Sequence, residues 1–123
     1  MIAGLGVALV ESDRVERLLD RHGPRLAERL FTPSELRAGA GRRGAERLAA
    51  RLAAKLAARD ALGRSPGLRL RDFEVVGGGR ERPFLRLHGT AARRARQMRI
   101  EALHLSLTHD PPCAIGQVVA EGA

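Results

Sequence analysis

The sequence predicts an α+β domain in which antiparallel strands pack on one long central helix. Three observations predict it. Residues 2–10 (IAGLGVALV) are small and branched apolar residues that read as a buried strand. Ala45 to Leu62 holds neither Gly nor Pro, and Leu48, Leu52, Lys55, Leu56 and Arg59 recur there at three and four residues, the spacing of a helix face. Two later pairs of strand-like segments flank clusters of turn residues. With 123 residues the chain reads as a single domain, 1–123.

The elements follow in order. After the first strand, Ser12 reads as a helix N-cap, with Asp13 and Glu16 in the first turn and Val15, Leu18 and Leu19 on the apolar face. Gly23-Pro24 stops that helix, and a short one over 25–30 places Leu26 and Leu30 together. Thr32-Pro33-Ser34-Glu35 is a further helix start: Thr32 caps, Pro33 occupies the first turn, and Glu35 stands three residues after the cap. Gly39 to Gly44 is a loop. The long helix ends at Gly63. Segments 72–77 and 83–88 pair around Gly77-Gly78-Gly79, Ala91 to Met98 is a basic helix, and 103–107 pairs with 114–119 around His109-Asp110-Pro111-Pro112.

Composition narrows the function classes. There are 22 Lys and Arg against 14 Asp and Glu, a formal charge of +8, and Lys55 is the only lysine. A basic chain favours an acidic partner, whether protein, polyphosphate or nucleic acid, although an arginine- and alanine-biased composition accounts for the charge equally well. With no Trp or Tyr and three Phe, a stacking platform for single-stranded nucleic acid is excluded. One cysteine, Cys113, excludes a disulfide framework and a cysteine-rich zinc site. No apolar run approaches the ~20 residues of a membrane span, and residues 1–10 lack the basic leader and cleavage site of a signal peptide. The expectation is a cytoplasmic protein with neither a nucleic-acid nor a membrane partner.

The residues also carry a family likeness. MIAGLGVALVESDRVERL, RLFTPSEL (29–36), ERLAARLAAK (46–55), ALG (61–63), HLSLTHD (104–110) and GQVVAE (116–121) resemble, in order and spacing, the holo-acyl-carrier-protein synthases, the small bacterial 4′-phosphopantetheinyl transferases. The resemblance implies a homotrimer with a coenzyme A site in each cleft between subunits. It also implies that Arg14, Arg17 and Arg21 dock an acidic acyl carrier protein.

The departures from that pattern are specific. The family aspartate of the first strand, a magnesium ligand, is matched by Ala8. On the central helix, the family pattern Phe-x-x-Lys-Glu-Ala-x-x-Lys is matched by Leu52 to Asp60. The family glutamate, the second metal ligand, becomes Leu56, and the second lysine, associated with catalysis and phosphate binding, becomes Asp60. Lys55 and His109 persist. Magnesium is usually held by one or two carboxylates with substrate phosphates and water, and neither Ala nor Leu can ligate it. Glu11 cannot replace the lost aspartate, because an odd offset of three along a strand points it to the other face.

Three functional expectations follow. The first is a metal-independent cyclase, isomerase or lyase acting on an apolar polyketide or acyl-type intermediate in the inter-subunit cleft. Ala8, Leu52 and Leu56 would line the pocket, and Asp60, His109 and Asp110 would supply acid–base groups, with Lys55 as an oxyanion or carboxylate partner. It expects no cofactor and no metal. The second is a working synthase with altered ligands, using coenzyme A and magnesium. The third is a non-catalytic carrier-protein-binding module. Each candidate also has a plain structural reading: His109 and Asp110 close a turn, Asp60 is a solvated acid near a helix C-terminus, His104 and Ser106 alternate on a strand, and His22 and His88 are surface residues.

Overall fold

The computed structural model describes all 123 residues. Strand β1 (Ile2–Glu11) runs directly into helix α1 (Ser12–Leu30), followed by α2 (Pro33–Ala38) and α3 (Gly44–Ala61). A 3-10 turn at Leu70–Asp72 leads into the hairpin β2 (Phe73–Gly78) and β3 (Glu81–Leu87), then α4 (Gly89–Gln97) and the long hairpin β4 (Ile100–Asp110) and β5 (Cys113–Gly122). The strands form an antiparallel sheet in the order β1-β5-β4 and a separate β2-β3 ribbon. This is the α+β arrangement the sequence predicts, with α3 as the element both sheets pack against.

Small residues allow sheet and helix to approach closely. Gly4, Gly6 and Ala8 alternate along the inward face of β1, and α3 presents Ala53, Ala54, Ala57, Ala58 and Ala61, all buried. A Cβ at Gly6 would collide with the Ala57 carbonyl, and one at Gly4 with that of Ala61. Across the sheet Ala8 pairs with Gly116, whose own Cβ would come within 2.8 Å of the Ala53 carbonyl oxygen. The core lies around α3 in two clusters, one with Leu62, Phe73 and Val118, the other with Val15, Phe31 and Leu48. The outward residues of β1 are apolar too: Leu5, Val7 and Leu9 are each more than half exposed. No helix is long and apolar enough to cross a membrane.

Most element boundaries follow the sequence pattern, and the differences have local causes. Glu11, not Ser12, takes the N-cap position of α1, without a side-chain capping bond; Ser12 is buried and its N–H donates to the Pro112 carbonyl at 2.8 Å. The strand passes into the helix without a turn, so the β4-β5 hairpin supplies the acceptor that a cap would have offered. Gly23 does break α1: its backbone (φ 68°, ψ −156°) kinks the chain between two helical halves. The strands of the last hairpin extend further than their apolar cores, so His109 and Asp110 still pair with Ala114 and Cys113.

Candidate functional site

Chemistry-bearing residues gather at three places around α3. The first is a buried polar network where α2, α3 and β2 meet. Thr32 caps α2: its hydroxyl accepts from the Glu35 N–H at 3.3 Å, and Glu35 accepts from the Thr32 N–H at 2.8 Å. The sequence shows this capping box, but not its second use. The Glu35 carboxylate also accepts from the Val75 N–H at 2.9 Å and pairs with the Lys55 ammonium at 2.5 Å. Both side chains are fully buried. Lys55 further donates to the Leu70 carbonyl and lies over the Phe31 ring. Burial pulls the Lys55 ammonium below the ordinary lysine value, against the opposing attraction of Glu35. Beside this pair, Glu74 accepts from the hydroxyls of Ser34 (2.6 Å) and Thr32 (3.0 Å) and meets His88 Nε2 at 2.9 Å. Bonding from Ser34, reinforced by His88 and Thr32, outweighs burial and lowers the Glu74 pKa to about 2.

The second place is a basic cleft of about 580 Å³ between the N-terminal half of α3 and the β2-β3 ribbon. Arg43, Arg47 and Arg51 line it with Gly77 to Gly79, Glu46 and Glu81 set two carboxylates against those three arginines, and His109 closes it from the end of β4. Arg47 is held in place by donating to the carbonyls of Ala38, Ala40 and Arg42. Arg51 makes only two long contacts, to Arg47 O and Gly77 O at 3.4 Å, and its buried Nε has no partner. Burial depresses its pKa. A guanidinium left short of acceptors in a cleft with two other arginines favours an anion.

The third place is an apolar groove of about 560 Å³ between α1 and α3. Leu18, Leu26, Leu30, Leu52, Leu56 and Leu70 form its walls, and His22, Arg25 and Arg29 form its rim. It shares Leu18, Leu52 and Leu56 with a second hollow of about 420 Å³ against β1.

The structure separates the four acid–base candidates within one subunit. Lys55 is a correction: fully buried against Glu35, it presents no free ammonium to a ligand. Asp60 pairs with Arg64 at 3.0 Å, an i,i+4 contact at the C-terminal end of α3. It lies nine residues from Arg51, roughly 13 Å along the helix. His109 faces the basic cleft, and Asp110 is exposed at the end of β4. Leu52 and Leu56 line the groove, whereas Ala8 packs against the core beside α3. Arg14, Arg17 and Arg21 are exposed, and their spacing places them on one face of α1. Glu35, Glu74, Arg47 and Arg51 escape sequence reasoning as a group, because residues up to 40 apart meet only in the fold.

Magnesium, which the family resemblance implies at positions 8 and 56, does not fit these residues. Both side chains are hydrocarbon, and neither can supply the carboxylate oxygen by which a protein holds this ion.

Comparison with known proteins agrees with the fold and with its origin. No family model matches the chain. Among curated proteins, the holo-[acyl-carrier-protein] synthase of Frankia alni is 48% identical over 120 residues, covering 98% of each chain. That of Streptomyces griseus is 45% identical over 123 residues, covering 99% of this chain and all of the other. Among solved structures, the Neisseria meningitidis synthase superposes with a TM-score of 0.83 at 30% identity, over 98% of this chain and 99% of that one. The Helicobacter pylori synthase in complex with coenzyme A superposes at 0.81 with 25% identity, over 95% and 99%. Sequence likeness across the full length of both chains, on a shared fold, makes this chain a member of the holo-[acyl-carrier-protein] synthase family.

Proposed function

We propose that this protein acts on an acyl carrier protein, as its relatives' names describe, and on coenzyme A, with which one similar synthase was solved, and transfers 4′-phosphopantetheine to a carrier serine without a bound metal. The observation that carries this reading is the full-length identity to synthases, supported by the likeness to a synthase solved with coenzyme A. The basic cleft supplies a place for the phosphates, with Arg43, Arg47 and Arg51 against their charge. In the transfer, the serine oxygen bonds to the pantetheine-side phosphorus, and the bond from that phosphorus to the bridging oxygen of the pyrophosphate breaks. Negative charge leaves on adenosine 3′,5′-bisphosphate. Arg47, fixed in advance by three carbonyls, and Arg51, short of acceptors, stabilise that charge, and His109, on the same cleft, takes the serine proton. Arg14, Arg17 and Arg21 offer the acidic carrier protein a basic helix face. The proposal includes a homotrimer in the cytoplasm, where both substrates occur.

Losing one preorganised electrostatic group costs about 10²–10³ in rate. We therefore expect transfer slower than that of a relative by at least this factor, and insensitive to EDTA. Incubation of the protein with labelled coenzyme A and an apo carrier protein tests it. Labelled carrier that persists in EDTA is the expected result. Failure to bind coenzyme A overturns the proposal.

A second reading has its own observation: Leu52 and Leu56 give the α1–α3 groove hydrocarbon walls where the family pattern has an aromatic residue and a carboxylate. On this reading the protein catalyses a metal-independent cyclisation, isomerisation or elimination of an apolar polyketide or acyl intermediate. The separation of Lys55, Asp60, His109 and Asp110 within one subunit weighs against these four acting together there. Conversion of such an intermediate with no coenzyme A binding would favour this reading over the first. Carrier binding without either reaction would identify a docking module.

A further inference from the structure

We propose that the leucine groove between α1 and α3 binds a straight acyl chain whose anionic end is held by Arg25 and Arg29. The inference deepens the second reading, names the ligand class of its groove, and rests on that reading for any turnover.

The argument starts from the kink. Gly23 takes a backbone conformation that only glycine adopts readily, and Pro24 cannot continue the preceding hydrogen-bond ladder. The two halves of α1 therefore diverge, and the second half sets Leu26 and Leu30 beside Leu70 instead of continuing the line of the first. Between the halves and α3 lies a hollow of about 560 Å³, within the size range of small-molecule sites. Its walls are leucine, and it continues past Leu52 and Leu56 towards β1. A hollow elongated in this way suits a chain better than a disc-shaped ring system.

The charge at its mouth selects the other end of the ligand. Arg25 and Arg29 stand four residues apart on the same face of the helix, with His22 one turn before Arg25–Leu26. Neither arginine makes an ion pair or a side-chain hydrogen bond, so both guanidinium groups are free to meet a ligand. No acidic residue lines the end of the hollow between α1 and α3; the one carboxylate, Glu11, stands at the far end against β1 beside Arg14. Apolar walls under an unpaired basic rim are complementary to an alkyl chain with a carboxylate at its end.

Calorimetric titration of the full chain with octanoate, decanoate and dodecanoate tests the inference. Affinity should rise about fourfold for each added methylene. It should be unchanged by MgCl₂ or EDTA. Decanol should bind more weakly than decanoate, and the Arg25→Ala/Arg29→Ala variant should erase that difference while retaining the chain-length dependence. Leu56→Gln should weaken decanoate at least tenfold, and Leu26→Gln, a half-buried position, repeats the test where folding is less at risk; far-UV circular dichroism confirms that both variants fold. An affinity independent of chain length, or unaffected in both folded variants, overturns the inference. So does a groove that takes an apo carrier protein, in a Leu26-dependent manner, but not decanoate. Coenzyme A titration of the unaltered chain, run in parallel, separates the two questions. Acyl binding without coenzyme A binding leaves this inference standing and removes the transferase reading, and the reverse removes this inference alone. Acyl binding with no conversion of any intermediate removes the second reading's chemistry but not the site.

Discussion

Lys55 is the only lysine in the chain, and the structure gives it a structural task. Its ammonium and the Glu35 carboxylate satisfy one another where neither meets water. Removing one member of such a pair strands the other, at a cost of about 3–5 kcal/mol. Lys55→Met should therefore lower unfolding stability by about that much in urea titrations. Lys55→Met/Glu35→Gln should recover part of that loss by removing the stranded charge, although the single glutamine oxygen can accept from only one of the Thr32 and Val75 N–H groups, which bond different carboxylate oxygens. A double variant no more stable than the single one would show that the charge pair is not the cause. Glu74 sets a pH dependence. Its folded pKa of about 2 lies below the ordinary value of 4.5, so its bonds stabilise the fold fully above that value. The contribution, about 2 kcal/mol after allowance for partial exposure, is lost as pH falls from about 5 towards 2. Melting temperatures over that range should drop less steeply in Glu74→Gln than in the unaltered protein. Both carboxylates are visible in the sequence, Glu35 even as a capping residue, but their partners lie 20 and 40 positions away. Spacing cannot report a contact that only chain reversal creates.

At the scale of elements, periodicity reads well where one face meets one neighbour. The capping box of α2, the stop at Gly63 and the strand pairs are local consequences of local residues. By residue type Gly4 and Gly6 are the only breakers in the apolar run 2–10, whereas the fold shows why the side chains are missing. There the β1 backbone lies against the carbonyls of Ala57 and Ala61. Gly6→Ala should push β1 off α3 and destabilise the protein by roughly 3 kcal/mol or more, at the upper end of overpacking costs. Gly41→Ala meets no neighbour within 4 Å and bears only the strain of its positive φ, so its smaller loss in the same thermal unfolding experiment serves as the comparison. The N-terminus of α1 shows the opposite limit. Ser12 has the chemistry of a cap, but a buried site against Pro112 redirects it.

For the whole molecule, the exposed apolar face of β1 is the feature a single subunit leaves unexplained. Leu5, Val7 and Leu9 are 63%, 52% and 57% exposed along one line. Covering that line is consistent with the proposed trimer. Leu5→Glu/Val7→Glu should dissociate the assembly in light-scattering measurements, and an unaltered molar mass would place the contact elsewhere. A net charge of +8 predicts, in addition, that carrier-protein association weakens as salt rises. Arg14→Glu/Arg21→Glu should reduce the association rate and flatten that salt dependence.

The order of strands and helices, the helix stops, the basic balance and the hydrocarbon side chains at positions 8 and 56 are set by the sequence, because each depends on residue type and on near neighbours. The partner of Lys55, the convergence of Arg43, Arg47 and Arg51 with His109, and the leucine groove opened by the bend at Gly23 belong to the tertiary structure. Those features join segments distant along the chain, and their energetics follow from burial and charge in three dimensions, which a one-dimensional pattern does not encode.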